Sequence, residues 1–184
     1  MGDSMSKLQV ETISHTNNTS GLTIDSSGNV TAPVSIGNVG SAINFAYRNI
    51  ESTGFTTTSN SYTDVTGDTT AREWYVDITP KFNDSIIVLE TTMIIRVTDT
   101  AAYYRFRVVD SKNSDNVLGG TSIAAGNYQV ASDIHNDQPI RAAFVSGTTN
   151  AMRLQLQVLT TGGTFNASWS SNDIRAITAT EFKQ

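Results

Sequence analysis

At 184 residues, 38% of them hydrophobic, the chain is long enough to bury a core of its own. Only 16% of residues are charged while Thr, Ser, Asn and Gly abound, a composition of strands and turns, and the net charge of −5 argues against a nucleic-acid-binding surface. Cysteine is absent, which excludes a disulfide framework, a zinc–thiolate site and a thiol nucleophile.

The opening MGDSMSKLQV has no apolar signal-peptide core. No apolar run reaches the roughly 20 residues of a spanning helix, so no membrane insertion is expected. Met5 is a candidate second start, because a strand pattern with Leu8, Val10 and Ile13 follows it. Leu22-Thr23-Ile24 and Val30-Thr31 then flank Asp25-Ser26-Ser27-Gly28-Asn29, a turn in which Gly28 supplies the positive φ. Flanks this short leave an isolated hairpin marginal in water, and a second chain is expected to supply the missing partner strand. Between Val34 and Thr53, Gly37 and Gly40 suggest a linker, while Ile43, Ala46, Tyr47 and Ile50 fall at helical spacing; a helical turn or two and an irregular connector both remain open. The boundary is placed at Gly54, giving an N-terminal element and linker over residues 1–53 and a head domain over 54–184.

The most hydrophobic stretch follows, Glu73 to Asp99. Trp74, Val76 and Ile78 alternate with Tyr75 and Asp77 until Pro80 forbids an interior ladder, leaving Thr79 to Asp84 as a loop. From Ile87 the odd positions Ile87, Leu89, Thr91, Met93, Ile95 and Val97 form an apolar side. Ile86, Val88, Glu90, Thr92, Ile94 and Arg96 make a mixed second side, and Ile86, Val88 and Ile94 are its candidate subunit-interface residues. Tyr104, Phe106 and Val108 define a third strand with Tyr103, Arg105 and Arg107 on its other side, and Asp110 to Asn116 is a turn. After a Gly-rich stretch (Gly119, Gly120, Gly126), Pro139 to Val145 reads as a strand ending at Ser146-Gly147. Met152, Leu154, Leu156 and Val158 alternate with Arg153, Gln155, Gln157 and Leu159; Thr161-Gly162-Gly163 reads as a hairpin turn with Phe165, Ala167 and Trp169 on its return strand, and Ile174 to Phe182 closes the chain. About seven or eight strands joined by turn signals predict an all-β chain: a short N-terminal β-element followed by an antiparallel, jelly-roll-like β-sandwich.

Two stretches resemble a known family. SGLTIDSSGNVTAP is similar to the β-turn elements near the start of fibre and spike proteins of tailed bacteriophages, marine ones in particular. Phe55 to Lys183 resembles a domain recurring in phage virion proteins, through the Thr/Ser-rich lead-in Thr56 to Val65, Ile78-Thr79-Pro80-Lys81, Ser85-Ile86-Ile87-Val88 and the close from Arg175 to Glu181. Where such proteins often carry Ser-Ser-Lys before the strand, this chain has Asn83-Asp84-Ser85. The resemblance implies a virion location after synthesis in the bacterial cytoplasm, and a role in structure and recognition.

Catalytic signals are sparse. His15 and His135 are the only histidines, so no metal-spaced cluster is formed. Ser132-Asp133-Ile134-His135 has the residue types of a triad without a nucleophile elbow. Asp64, Asp68, Glu73 and Asp77 are candidates for a glycosidase carboxylate pair and read better as solvated rims. Asp110 to Asn116 is oxygen-rich like a cation loop, but Lys112 and Ser114 occupy positions where acidic or amide ligands belong. Asn17, Asn18 and Asn29 stand in glycosylation sequons that carry no meaning for a bacterial cytoplasmic product.

The expectation is a non-enzymatic phage structural protein without cofactor or metal, fixed to the particle by its N-terminal part and displaying a homotrimeric sandwich. Its expected partners are other virion proteins, of capsid or tail, and a host cell-surface glycan. A capsid decoration protein is the alternative within virions. Outside them it is a carbohydrate-binding module, with Tyr103, Tyr104, Tyr128 and Trp169 as platform candidates, although core packing accounts better for Tyr104 and Trp169. Recognition is expected in the loops Asp110 to Asn116, Asn127 to Asp137 and Ser170 to Asp173, with Asp110, Asn113, Asp115, Asn116, Tyr128, His135 and Asn172 as candidate contacts.

Overall fold

A computed structural model describes residues 12–14, 20–24, 30–31, 40–51, 54–66, 73–97, 103–120, 124–127, 136–167 and 174–184. All regular structure among them is β. The chain forms two compact units, Met1–Asn38 and Val39–Gln184.

In the first unit, β1 (Thr12–Ser14), β2 (Ser20–Ile24) and β3 (Val30–Thr31) make a three-stranded antiparallel sheet with β2 in the middle. The expected hairpin is β2–β3, paired Thr23 to Thr31 and Ile24 to Val30. The strand expected from a second chain comes instead from this one, because β1 already lies along β2.

The second unit is a two-sheet, jelly-roll-like sandwich. Sheet I contains β6 (Thr63–Asp64), β7 (Tyr75–Ile78), β9 (Tyr103–Asp110), β10 (Asn116–Leu118), β11 (Ala124–Asn127) and β13 (Met152–Thr161). Sheet II contains β4 (Ala42–Glu51), β5 (Phe55–Thr57), β8 (Ile86–Val97), β12 (Asn136–Val145), β14 (Phe165–Ala167) and β15 (Ile174–Phe182). Every pairing is antiparallel, and the chain changes sheet repeatedly. β8 is the axis of sheet II: β12 runs along one side over Ile86 to Ile95, while β15 takes Ile86 to Thr91 on the other and β14 takes Ile95 to Val97. The odd residues of β8 from Ile87 to Ile95 are buried, as the alternation requires, against Trp74, Val76, Phe106, Val108, Leu154 and Leu156 of the facing sheet. Phe165 closes one end of this core, with ring centroids 5.6 Å from Tyr104, 5.7 Å from Phe106 and 6.5 Å from Phe55.

Four expectations are corrected. Residues 42–51, read as linker or helical turns, are a strand hydrogen-bonded along β15, so the division between units falls after Asn38 rather than at Gly54. The helical appearance has a local cause. The register slips between Glu181 and Phe182, leaving Ile43 as an extra residue between Ala42 and Asn44, and this bulge breaks the two-residue alternation that resumes with Ala46, Arg48 and Ile50 facing inward. Thr161-Gly162-Gly163 is no hairpin turn: β14 pairs with β5 and β8, so the two glycines, at φ of 77° and 65°, carry the chain from sheet I across to sheet II. Strand Pro139–Val145 begins three residues earlier, at Asn136, because β12, bonded among the described residues only to β8, has an open edge where Pro139 is tolerated. Among the described residues the second unit holds twelve strands rather than seven or eight, since pieces of two to four residues such as β5, β6, β10 and β11 are too short to show a period.

Candidate recognition surface

The loop between β7 and β8 is held by a group that sequence reasoning missed. Glu181, on the core side of β15, is fully buried. Its carboxylate accepts from the Lys81 backbone N–H at 2.8 and 3.0 Å, the Phe82 N–H at 3.2 Å and the Ser85 hydroxyl at 2.6 Å. The Ser146 hydroxyl donates to the Phe82 carbonyl at 2.6 Å. Three of the quoted family-like segments, at Pro80-Lys81, Ser85 and Glu181, thus meet at one structural clasp. A buried carboxylate facing N–H donors is satisfied rather than reactive.

The turn after β9 is built the same way. Asp110 is buried, and its carboxylate accepts from the Lys112 and Arg153 backbone N–H groups at 3.1 and 3.0 Å and from the Asn113 side-chain amide. Asp110 is therefore the internal cap of the turn and not a recognition contact, because its lone pairs are occupied from inside. Ser111 to Val117 are exposed, with Ser114 and Asp115 in the left-handed region at φ of 56° and 55°. Asn113, Asp115 and Asn116 are the described recognition candidates that face solvent. No group of three or more His, Cys, Asp or Glu with metal-holding geometry occurs among the described residues. Tyr128, His135 and Asn172 lie outside the described residues, as do Asp68, the Ser132-Asp133-His135 stretch, Trp169, His15, Asn17, Asn18 and Asn29.

The outer face of sheet I is covered by its own polar side chains. Asp77 accepts both Arg153 N–H bonds at 3.1 Å and lies 3.1 Å from the Lys112 ammonium. Burial alone would raise the Asp77 pKa; the hydrogen bonds from Arg153 and Lys112 and their charges outweigh it and hold the carboxyl below its ordinary value. Asp77 in turn raises Arg153 through their hydrogen bond. The Tyr75 ring has the Arg48 and Arg153 guanidinium carbons 3.6 and 3.9 Å from its centroid. Further along, Gln157 donates to Asp64 at 2.7 Å and accepts from Arg107 at 2.7 Å, while Gln155 donates to the Trp74 and Leu156 carbonyls. Gln155 and Gln157, which read as the polar alternates of β13, are only 3% and 5% exposed. Asp64 and Asp77 thus serve Gln157 and the Arg153–Lys112 pair respectively, and no paired-carboxylate arrangement is formed by them.

Sheet II presents a different outer face. Phe45, Tyr47 and Val145 are 60%, 64% and 52% exposed, and the rings of Phe45 and Tyr47 stack with centroids 6.1 Å apart. The register joins this face into rows: Phe182, Ile86 and Val145; Phe45, Thr180, Val88 and Ala143; Tyr47, Thr178, Glu90 and Arg141. The nominated interface residues Ile86, Val88 and Ile94 all lie here, Ile86 and Ile94 half-buried and Val88 buried within the single chain. Phe45 and Tyr47, hidden in the expected linker, carry the larger exposed area. Where β15 leaves β8 and before β14 joins it, a depression of about 480 Å³ opens, lined by residues that include Glu90, Thr92, Pro139, Arg141, Arg175 and Thr178. Arg141 reaches Glu90 at 3.2 Å and Arg175 reaches Asp137 at 3.3 Å at this end of the sheet.

The arrangement defines an all-β protein, a small sheet preceding an antiparallel sandwich. No protein-family model matches the chain, and none of the curated proteins matches it. Its fold is similar to solved structures of low identity. The structure of infectious bursal disease virus, Gt strain, is 9% identical with a TM-score of 0.44, over 77% of this chain and 37% of that one, so the chain spans little more than a third of that viral protein. Eiger TNF from S. frugiperda is 10% identical with a TM-score of 0.44, over 78% of this chain and 95% of that one. The xylan-binding module CBM15 is 14% identical with a TM-score of 0.34, over 80% of this chain and 99% of that one.

Proposed function

We propose that the chain is a non-enzymatic structural protein of a bacteriophage virion, fixed to the particle by its N-terminal unit and displaying the sandwich as a homotrimer. The observation that carries this reading is the division into two compact units, Met1–Asn38 and Val39–Gln184, the first a minimal three-stranded sheet and the second a complete sandwich with its own core. A sheet of strands this short suits an attachment or docking element. The sandwich supports binding rather than turnover. Asp64 and Asp77, two of its nominated acids, are tied to structural partners, and its exposed segment from Ser111 to Val117 offers Asn113, Asp115 and Asn116 to a partner surface, either a neighbouring virion protein or a host-surface glycan. Mounting on a tail fibre and mounting on the capsid as a decoration protein are both served by this architecture.

Immunogold labelling of purified particles, with antibody against the sandwich, tests the reading. Label on the particle is expected, and its position separates tail from capsid. Unlabelled particles alongside abundant free protein in the same lysate would overturn it. Incubation with host-surface polysaccharide is expected to release no reducing ends.

A further inference from the structure

The outer face of sheet II carries two unlike patches, on β4 and on β12, separated by β15 and β8 and hence by about 14 Å at ordinary strand spacing. The β4 patch is large and aromatic, with Phe45 and Tyr47 stacked and more than half exposed. The β12 patch is small: Ala143 and Val145, with Arg141, paired to Glu90, standing 71% exposed beside them. The patches are level with each other, since Phe45 and Ala143 share one row and Tyr47 and Arg141 the next.

We propose that a second copy of this chain covers this face, the β4 patch of each copy packing on the β12 patch of the next so that three sheet II faces close around an axis along the strands. The proposal rests on the homotrimer reading above and specifies its contact. Bulk then meets space, Phe45 over Ala143 and Val145, and the Arg141 guanidinium stacks on the Tyr47 ring while its Nε keeps Glu90. Joining two different patches makes the contact heterologous; such contacts form rings where the rotation closes and filaments where it does not, and the homotrimer proposed above is the closing case. A twofold face-to-face pairing satisfies the same patches but forces the Glu90–Arg141 and Asp137–Arg175 pairs and the polar depression out of water, a desolvation that their Coulombic attraction does not recover. In a ring of three the middle strands face an axial space where that depression stays hydrated.

The chain has no cysteine, so introduced thiols report the contact directly. The experiment uses the full chain and the double variant Phe45→Cys/Ala143→Cys, both first shown to unfold cooperatively by circular dichroism. Light scattering of the wild type at micromolar concentration is expected to give about three times the 19.8 kDa chain mass. Oxidation of the double variant is expected to give covalent trimers on a non-reducing gel, and Tyr47→Glu is expected to lower the wild-type mass to that of the monomer. A wild-type monomer or dimer overturns both the trimer reading and this contact. A wild-type trimer whose double variant oxidises only to dimers, or not at all, overturns the contact alone.

Discussion

Replacing Glu181 by alanine tests the clasp between β15 and the loop before β8. The carboxylate accepts from two backbone N–H groups, of Lys81 and Phe82, and from the Ser85 hydroxyl, and alanine leaves no acceptor in its place. The hydroxyl keeps the Phe82 carbonyl at 2.9 Å, so the loss falls on the two amides. An orphaned buried donor costs about 1–3 kcal/mol. Because Lys81 to Asp84 are exposed and admit water, the lower part of that range applies to each amide, for a total of about 2–4 kcal/mol. At roughly 2–4 °C per kcal/mol for a domain of this size, the sandwich should melt about 5–15 °C lower. Glu181→Gln keeps an oxygen at Oε1, which accepts from Lys81, Phe82 and Ser85, but replaces Oε2 by an NH₂ 3.0 Å from the Lys81 amide, and should cost about 1–2 kcal/mol. Differential scanning calorimetry measures the shift, and hydrogen exchange should show loss of protection at Lys81 and Phe82. An alanine variant melting within about 2 °C of wild type would falsify the assignment of the carboxylate as the anchor of this loop.

Phe165→Ala removes a fully buried ring that touches Tyr104, Phe106 and Phe55, and chemical denaturation should show a loss of about 3–5 kcal/mol; under 1 kcal/mol would mean that the core end collapses into the space. Asp110→Ala should destabilise by about 1–3 kcal/mol and loosen the Ser111-to-Asn116 turn, read as faster exchange of the Lys112 and Arg153 amides, with unchanged exchange there contradicting its capping role. For Asp77, whose folded pKa lies below the ordinary value of 3.8, the stabilisation is present above the unfolded pKa and is lost as pH falls through the folded one. Asp77→Asn should therefore flatten the stability profile below about pH 5. Because the Asp77 side chain is 45% exposed, the difference at pH 7 should be small and shrink further in salt; a profile parallel to wild type from pH 5 to 2 would show that Arg153 and Lys112 do not shift it.

Much of the sandwich was determined locally and could be read from the sequence. Two-residue alternation located the long strands, from Trp74 to Ile78 and from Ile87 to Val97, because half-buried strands must segregate side chains between two faces. Turn chemistry located Asp110 to Asn116 and the β2–β3 hairpin for the same kind of reason, the demand being met within a few residues. Partnership was not local. The bulge at Ile43 disguised β4, and only its bonding to β15 revealed a strand with Phe45 and Tyr47 on its open side. Gly162-Gly163 reads alike as a hairpin or a crossing, since positive φ sets the bend and the choice of partner strand lies elsewhere. Glu181 showed no signal as an anchor because its donors lie about a hundred residues away in the chain. Likewise alternation gives Gln155 and Gln157 only as the polar positions of β13, and their burial depends on Trp74, Asp64 and Arg107, which the fold brings to them. Periodicity reports which side of a strand is apolar, but what covers the other side depends on contacts between distant segments, and these the tertiary structure alone decides.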